Sequence, residues 1–161
     1  MTTGREGNGR PRERVPAPGT VALQSRAMKV LLVSPHAVSR EMMGVAVGSV
    51  ERLLEEPVAF LSAADGEQGI RLARREGPDV VVAEETASRA GAFALALDLR
   101  GQAEPFRGVI VVLLDRAQDD WLARWSGADA WFTRPVDPFA LAGRVAELVH
   151  ERRAELAKES A

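Results

Sequence analysis

Residues 109–114, Val-Ile-Val-Val-Leu-Leu, form an unbroken apolar run too short for a core helix and too uniform for a strand with one wet face. Such a run suits a strand buried on both faces, as in a parallel sheet covered by helices. Residues 29–33 (Lys-Val-Leu-Leu-Val) and 79–83 (Asp-Val-Val-Val-Ala) repeat the signal, and shorter runs at 58–61 and 130–132 complete five strand candidates. Helical spacing fills the intervals. Ser39 precedes a stretch with apolar residues at Met42, Met43, Val45, Ala46, Val50, Leu53 and Leu54. A second helix begins at Asp65-Gly66, turns Ile70, Leu72 and Ala73 inward, and ends at Gly77-Pro78. Residues 93–100, 119–126 and 137–158 give three more, the last striped by Leu141, Val145, Leu148, Arg152 and Leu156. Five strands alternating with five helices specify an α/β fold with a doubly wound, five-stranded parallel sheet. Chemistry in that architecture sits beyond the carboxyl ends of the strands. The residues to weigh are therefore Ser34-Pro35-His36, Glu84-Glu85-Thr86, Leu114-Asp115 and Thr133-Arg134-Pro135.

Composition removes many chemistries from those positions. The 161 residues include no cysteine, which excludes thiol nucleophiles, Cys-ligated zinc and iron–sulfur clusters. The two histidines, His36 and His150, are far apart in the chain, which leaves little for a metal site or a Ser-His-Asp relay. His36 lacks an orienting partner for general-base work, and His150 reads as a surface residue near a helix C-terminus. The net charge of −2 is uneven: five Arg against Glu6 and Glu13 give +3 over residues 1–27, leaving −5 for the remainder. An acidic folded part argues against a nucleic-acid partner, and the three residues after Lys158 leave no room for a helix-turn-helix. Residues 1–27 are rich in Gly, Pro and Arg, without apolar periodicity, and read as a disordered basic tail. That tail is either without function, with translation starting at Met28, or an arm for an acidic partner. Residues 28–158 form the domain and 159–161 its C-terminal end. Neither a signal peptide nor a membrane span is visible, so a cytoplasmic location is expected.

Two stretches carry a family resemblance. Ala63-Ala-Asp-Gly-Glu-Gln-Gly-Ile-Arg-Leu-Ala-Arg-Arg-Glu-Gly-Pro-Asp-Val-Val-Val82 and Gly127-Ala-Asp-Ala-Trp-Phe-Thr-Arg-Pro-Val-Asp-Pro138 resemble the receiver domain of bacterial response regulators, and the likeness runs from Met28 to about Glu151. The resemblance implies a flavodoxin-like fold. It also implies a site in which two acidic residues after the first strand and an Asp after the third hold Mg²⁺. That Asp takes a phosphoryl group from a partner histidine kinase, while a Thr or Ser after strand four and a Lys after strand five hold its oxygens. Such a site must be rich in hard oxygen ligands and supply positive charge.

This chain departs from the pattern at nearly every position. The acidic pair falls on Ser34 and Pro35, the acceptor on Glu84, the hydroxyl position on Leu114 (or Leu113 in a second register), and the Lys position on Arg134. Glu84 looks like a built-in negative charge that Arg134 pairs in place of a phosphoryl group, whereas Glu85 reads as an ordinary surface carboxylate. The expectation is a phosphorylation-independent pseudo-receiver with no catalytic residue, metal or cofactor. It would bind another signalling or regulatory protein or form a homodimer. Two alternatives stand beside it, a small-molecule sensor built on the same cleft, with Arg134 and nearby backbone amides suited to an anion, and a phosphorylatable single-domain regulator. Trp125 and Trp131 read equally as core or as partner surface, while Trp121 reads as core.

Overall fold

A computed structural model describes residues 27–86 and 91–161, so residues 1–26 of the expected tail lie outside the described part. Strands β1 (Met28–Val33), β2 (Val58–Ala63), β3 (Val80–Glu84), β4 (Val109–Leu114) and β5 (Ala130–Thr133) form one parallel sheet in the order β2-β1-β3-β4-β5. This is the flavodoxin-like order, with its switch point between β1 and β3. Helices α1 (Ala37–Gly48), α2 (Val50–Leu54) and α6 (Pro138–Glu159) cover one face, and α3 (Gly66–Glu76), α4 (Ala92–Arg100) and α5 (Asp120–Trp125) cover the other.

Burial on both faces explains the unbroken apolar strands. Val80, Val82, Val109, Val111 and Leu113 pack with Met43, Val47, Leu141 and Val145 in the first layer. Val81, Ala83, Ile110, Val112 and Leu114 pack with Leu95, Leu99 and Ala123 in the second. Alternate residues of a strand point to opposite faces, so a strand lying between two cores has no polar position to spare.

Local chemistry sets the helix ends. The Asp65 side chain accepts from Gln68 N–H at 2.8 Å while Gln68 Oε1 accepts from Ala64 N–H at 2.8 Å, a reciprocal cap at the start of α3. Gly77, at φ 54°, closes the same helix in the left-handed conformation. In α6, Asp137 accepts from Phe139 N–H at 2.9 Å ahead of Pro138 at the first position. The expected single helix after β1 is divided at Ser49, where Gly44, Gly48 and Ser49 concentrate poor helix formers. Strand β3 reaches one residue further than the apolar run, so Glu84 belongs to the sheet itself.

Candidate functional site

The carboxyl ends of β3, β4 and β5 meet at one guanidinium. Glu84 ends β3 opposite Leu113 of β4, and its side chain is only 5% exposed. Arg134 follows β5, and its backbone N–H donates to Leu114 O at 2.9 Å, which holds the residue against β4. Arg134 Nη1 donates to Glu84 Oε1, and Nη2 donates to Asp115 Oδ1. The fork of the guanidinium thus staples three adjacent strand ends, a geometry an ammonium group could not reproduce. The two carboxylates are unequal partners: Asp115 is 63% exposed and its contribution is screened by solvent, whereas Glu84 is buried and depends on the arginine. Burial pulls the Arg134 pKa below its ordinary value. The Arg134–Pro135 peptide bond is cis.

The loop after β1 adds no carboxylate. Ser34 is buried, and its Oγ accepts from His36 N–H at 3.1 Å. Its carbonyl accepts from Arg40 Nη1 at 2.6 Å, so Arg40 reaches back from α1 to hold this loop. Nothing in the sequence pattern marked Arg40 for that role. Pro35 and His36 are exposed, and His36 begins α1 without a side-chain cap. Among the described residues the donor set at this end is one hydroxyl already engaged and two carboxylates, Glu84 and Asp115, both paired with Arg134. It does not fit Mg²⁺, which prefers a near-octahedral shell of oxygen ligands. Among the described residues no group of three or more His, Asp or Glu is arranged to hold a metal ion.

One sequence expectation is resolved and two need correction. Of the two registers left open for the hydroxyl position, Leu114 turns by strand alternation into the second core layer, while Leu113 lies opposite Glu84 and shares a cleft with it. Glu85 is not a plain surface charge. It is half-buried, and its Oε2 accepts from Phe93 N–H at 3.0 Å at the start of α4, where a carboxylate answers the unpaired N–H groups of the first turn. Burial raises its pKa, against the lowering effect of the Phe93 and Ala92 amides, and nearby Asp119 adds to the rise. A Cβ on Gly91 would lie 2.7 Å from Glu85 Oε1 and 2.9 Å from Thr86 O, so the carboxylate's approach requires glycine there. The other correction is Trp121, which is 62% exposed rather than core. The buried residue of α5 is Ala123, and its small side chain lets the helix sit close to the sheet while Trp121 and Trp125 face outward.

The other aromatics divide between core and surface. Trp125 is 66% exposed. Trp131, on edge strand β5, is half-buried against the second core layer, with the Arg124 guanidinium carbon 5.6 Å from its ring centre. Phe139 at the start of α6 is 81% exposed and lines a shallow groove with Trp131, Phe132, Gly143, Arg144 and Glu147. It carried no mark in the sequence because it falls in the first turn of a helix, ahead of the apolar stripe. On the other side of α6, a second cleft of about 560 Å³ opens between α1 and the β5–α6 connection, with Glu84 and Arg134 among its lining residues.

The comparisons with known proteins agree with this architecture. No family model matches the chain. It is 30% identical over 125 residues to the "Uncharacterized response regulatory protein Rv3143" of Mycobacterium tuberculosis, a match covering 78% of this chain and 93% of that protein. Among solved structures it resembles the CheY-like response regulator receiver domain protein from Methanospirillum hungatei, with a TM-score of 0.65, 14% identity and coverage of 81% and 99% of the two chains. The receiver domain of the sensor histidine kinase PA1611 from Pseudomonas aeruginosa, solved with a magnesium ion coordinated in its active-site cleft, gives a TM-score of 0.65, 17% identity and coverage of 78% and 99%.

Proposed function

The chain belongs to the response-regulator family, and we propose that within it the protein is a phosphorylation-independent pseudo-receiver. On this reading it is no enzyme, and its output is binding to another signalling or regulatory protein. The observation that carries the reading is the Arg134 fork, closed on Glu84 and Asp115. Phosphoryl transfer to a carboxylate needs a free nucleophilic oxygen, a metal ion bridging donor and acceptor, and a cation held for the incoming oxygens. Here the cation is already taken up by Glu84 and Asp115, and the carboxylates that would anchor magnesium are replaced by Ser34 and Pro35. Among the described residues no group of three or more His, Asp or Glu is arranged to hold a magnesium ion such as the one in the PA1611 receiver.

The working surface on this reading is the edge formed by α5, β5 and the start of α6. Trp125 and Phe139 stand exposed there, and Trp131 lies half-buried between them in the sheet. Large exposed aromatics are the side chains that supply most of the energy of an interface. Trp121, on the same outward side of α5, joins them.

Incubation with acetyl phosphate and Mg²⁺, read by intact mass, tests the proposal. The expected mass is unchanged. A phosphoryl adduct mapped to Glu84 or a neighbour would make the protein a phosphorylatable single-domain regulator instead. Sedimentation of the purified protein decides whether a second copy of the chain is its own partner.

A further inference from the structure

The cleft between α1 and the β5–α6 connection has the makings of a ligand site. Its volume of about 560 Å³ lies within the roughly 300–1,000 Å³ of small-molecule sites. The walls are apolar: Met42 and Val45 of α1 on one side, Val136 and Pro138 on the other, with Leu113 and Leu141 toward the core. Met42 is 67% and Val45 78% exposed, a solvation cost that an apolar occupant would relieve. Methionine side chains adapt their shape to such an occupant.

The polar groups decide what that occupant carries. Arg134 is the cation of the cleft, but both of its terminal nitrogens already donate to carboxylates. An anion would have to displace one of them and would also face Glu41 at the rim. The anion-binding role that the sequence suggested for Arg134 therefore runs against the local charge. Glu84 is the better anchor. A carboxylate has about four lone-pair sites, and the contact from Arg134 Nη1 goes to Oε1. A hydrogen-bond donor arriving in the cleft adds to this pair without breaking it.

We propose that this cleft binds a small apolar molecule carrying a hydrogen-bond-donating head, an amine or a primary amide, received by the Glu84 carboxylate between α1 and the β5–α6 connection. The site rests on the reading that Glu84 keeps a free carboxylate, because a phosphoryl group on it would remove the anchor; the probes are therefore titrated into the unphosphorylated protein. Glu41 favours the amine form, because only a charged head gains from the rim carboxylate.

Three matched probes test it: 4-phenylbutylamine, 4-phenylbutanamide and 4-phenylbutanoate, each titrated into the full chain while the methyl resonances of Met42 and Met43 are followed by NMR. The amine and the amide should shift both methyls saturably, with the carboxylate at least about ten-fold weaker. Glu41→Lys should weaken the amine by about ten-fold and leave the amide within about two-fold. Val45→Arg, at an exposed position where the fold tolerates a long side chain, should abolish saturation by both, with an unchanged melting temperature as the control. Carboxylate binding as tight as amine binding, methyl shifts insensitive to all three probes, or saturation that survives Val45→Arg would each overturn the proposal.

Discussion

The two ends of the parallel sheet carry charge clusters that are mirror images in composition and opposites in use. At the carboxyl ends of the strands one arginine, Arg134, is shared by two carboxylates; at the amino ends one carboxylate, Asp129, is shared by two arginines. Asp129 Oδ2 accepts from Arg100 Nη2 at 2.7 Å and from Ile110 N–H at 2.8 Å, and its Oδ1 accepts from Arg152 Nη2 at 2.8 Å. Arg100 goes on to donate to the carbonyls of Phe106, Gly108 and Gly127, and Arg152 to those of Arg107 and Gly108. This knot ties α4, α6 and the starts of β4 and β5 together and uses its donors on backbone acceptors. Gly127 is part of it: at φ 90°, a Cβ there would lie 2.8 Å from Arg100 Cγ. Burial lowers the Arg100 pKa, and the Asp129 charge opposes that fall. Among the described residues the Arg134 cluster has no such web of carbonyls; it opens on a cleft and leaves one of its carboxylates in solvent. The contrast separates a knot that holds elements together from an ion pair that opens on a cleft.

Among the largest expected effects is one at the amino ends of the strands. Asp129→Ala takes the shared carboxylate from two partly buried arginines, leaving Arg100 with carbonyl acceptors alone, and should cost about 3 kcal/mol in denaturant unfolding. A loss below about 1 kcal/mol would erase the distinction between the two ends.

At the carboxyl ends of the strands the asymmetry of the staple predicts unequal losses. Arg134→Ala leaves Glu84 buried without its partner and should cost about 3 kcal/mol. Glu84→Ala should cost less, about 1 kcal/mol, because Arg134 keeps Asp115, and the double variant should lie near the Glu84→Ala value. Equal losses for the two single variants would mean that Asp115 does not hold the arginine once Glu84 is gone.

On the interaction edge, Trp125→Ala should change stability by no more than about 0.5 kcal/mol while weakening partner capture by about 2 kcal/mol, roughly thirty-fold. Trp131→Ala should lose stability as well, since its ring packs against the second core layer. If Trp125→Ala captures partners normally, the interface lies elsewhere.

The smallest effect concerns pH. The Glu85 pKa is raised by burial, so the folded state binds a proton more tightly than the unfolded chain. Stability from this group is therefore full below the ordinary carboxylate range and falls as pH rises through the raised folded value. Glu56 works the other way: its hydrogen bond to Arg153 lowers its pKa, and the stability it provides is lost on acidification. Glu85→Gln should flatten the first slope and Glu56→Gln the second, as read from unfolding free energies across mildly acidic pH.

The sheet was legible because apolar continuity has one physical meaning when it recurs in runs of four to six residues. The Glu84–Arg134 pair was legible too, since both residues close strands that the topology sets near one another. What the sequence hid was direction. Leu113 and Leu114 differ by one position, and only the placement of β4 decides which faces Glu84. The spacing of Trp121 and Trp125 defines a side of a helix without saying whether that side is inward, and the small Ala123 took the inward place. Glu85 was missed because its partners are backbone amides of a helix eight residues away, which side-chain patterns do not register.

The central claim is that the switch of a receiver has been replaced by a fixed ion pair, and NMR with a phosphoryl mimic tests it most directly. Beryllofluoride and Mg²⁺ added to the isotopically labelled protein should leave the amide resonances around Glu84, Thr133 and Arg134, and the Trp131 indole signal, unchanged. Saturable shifts at those positions would show a site that still takes a phosphoryl group, and would contradict the account.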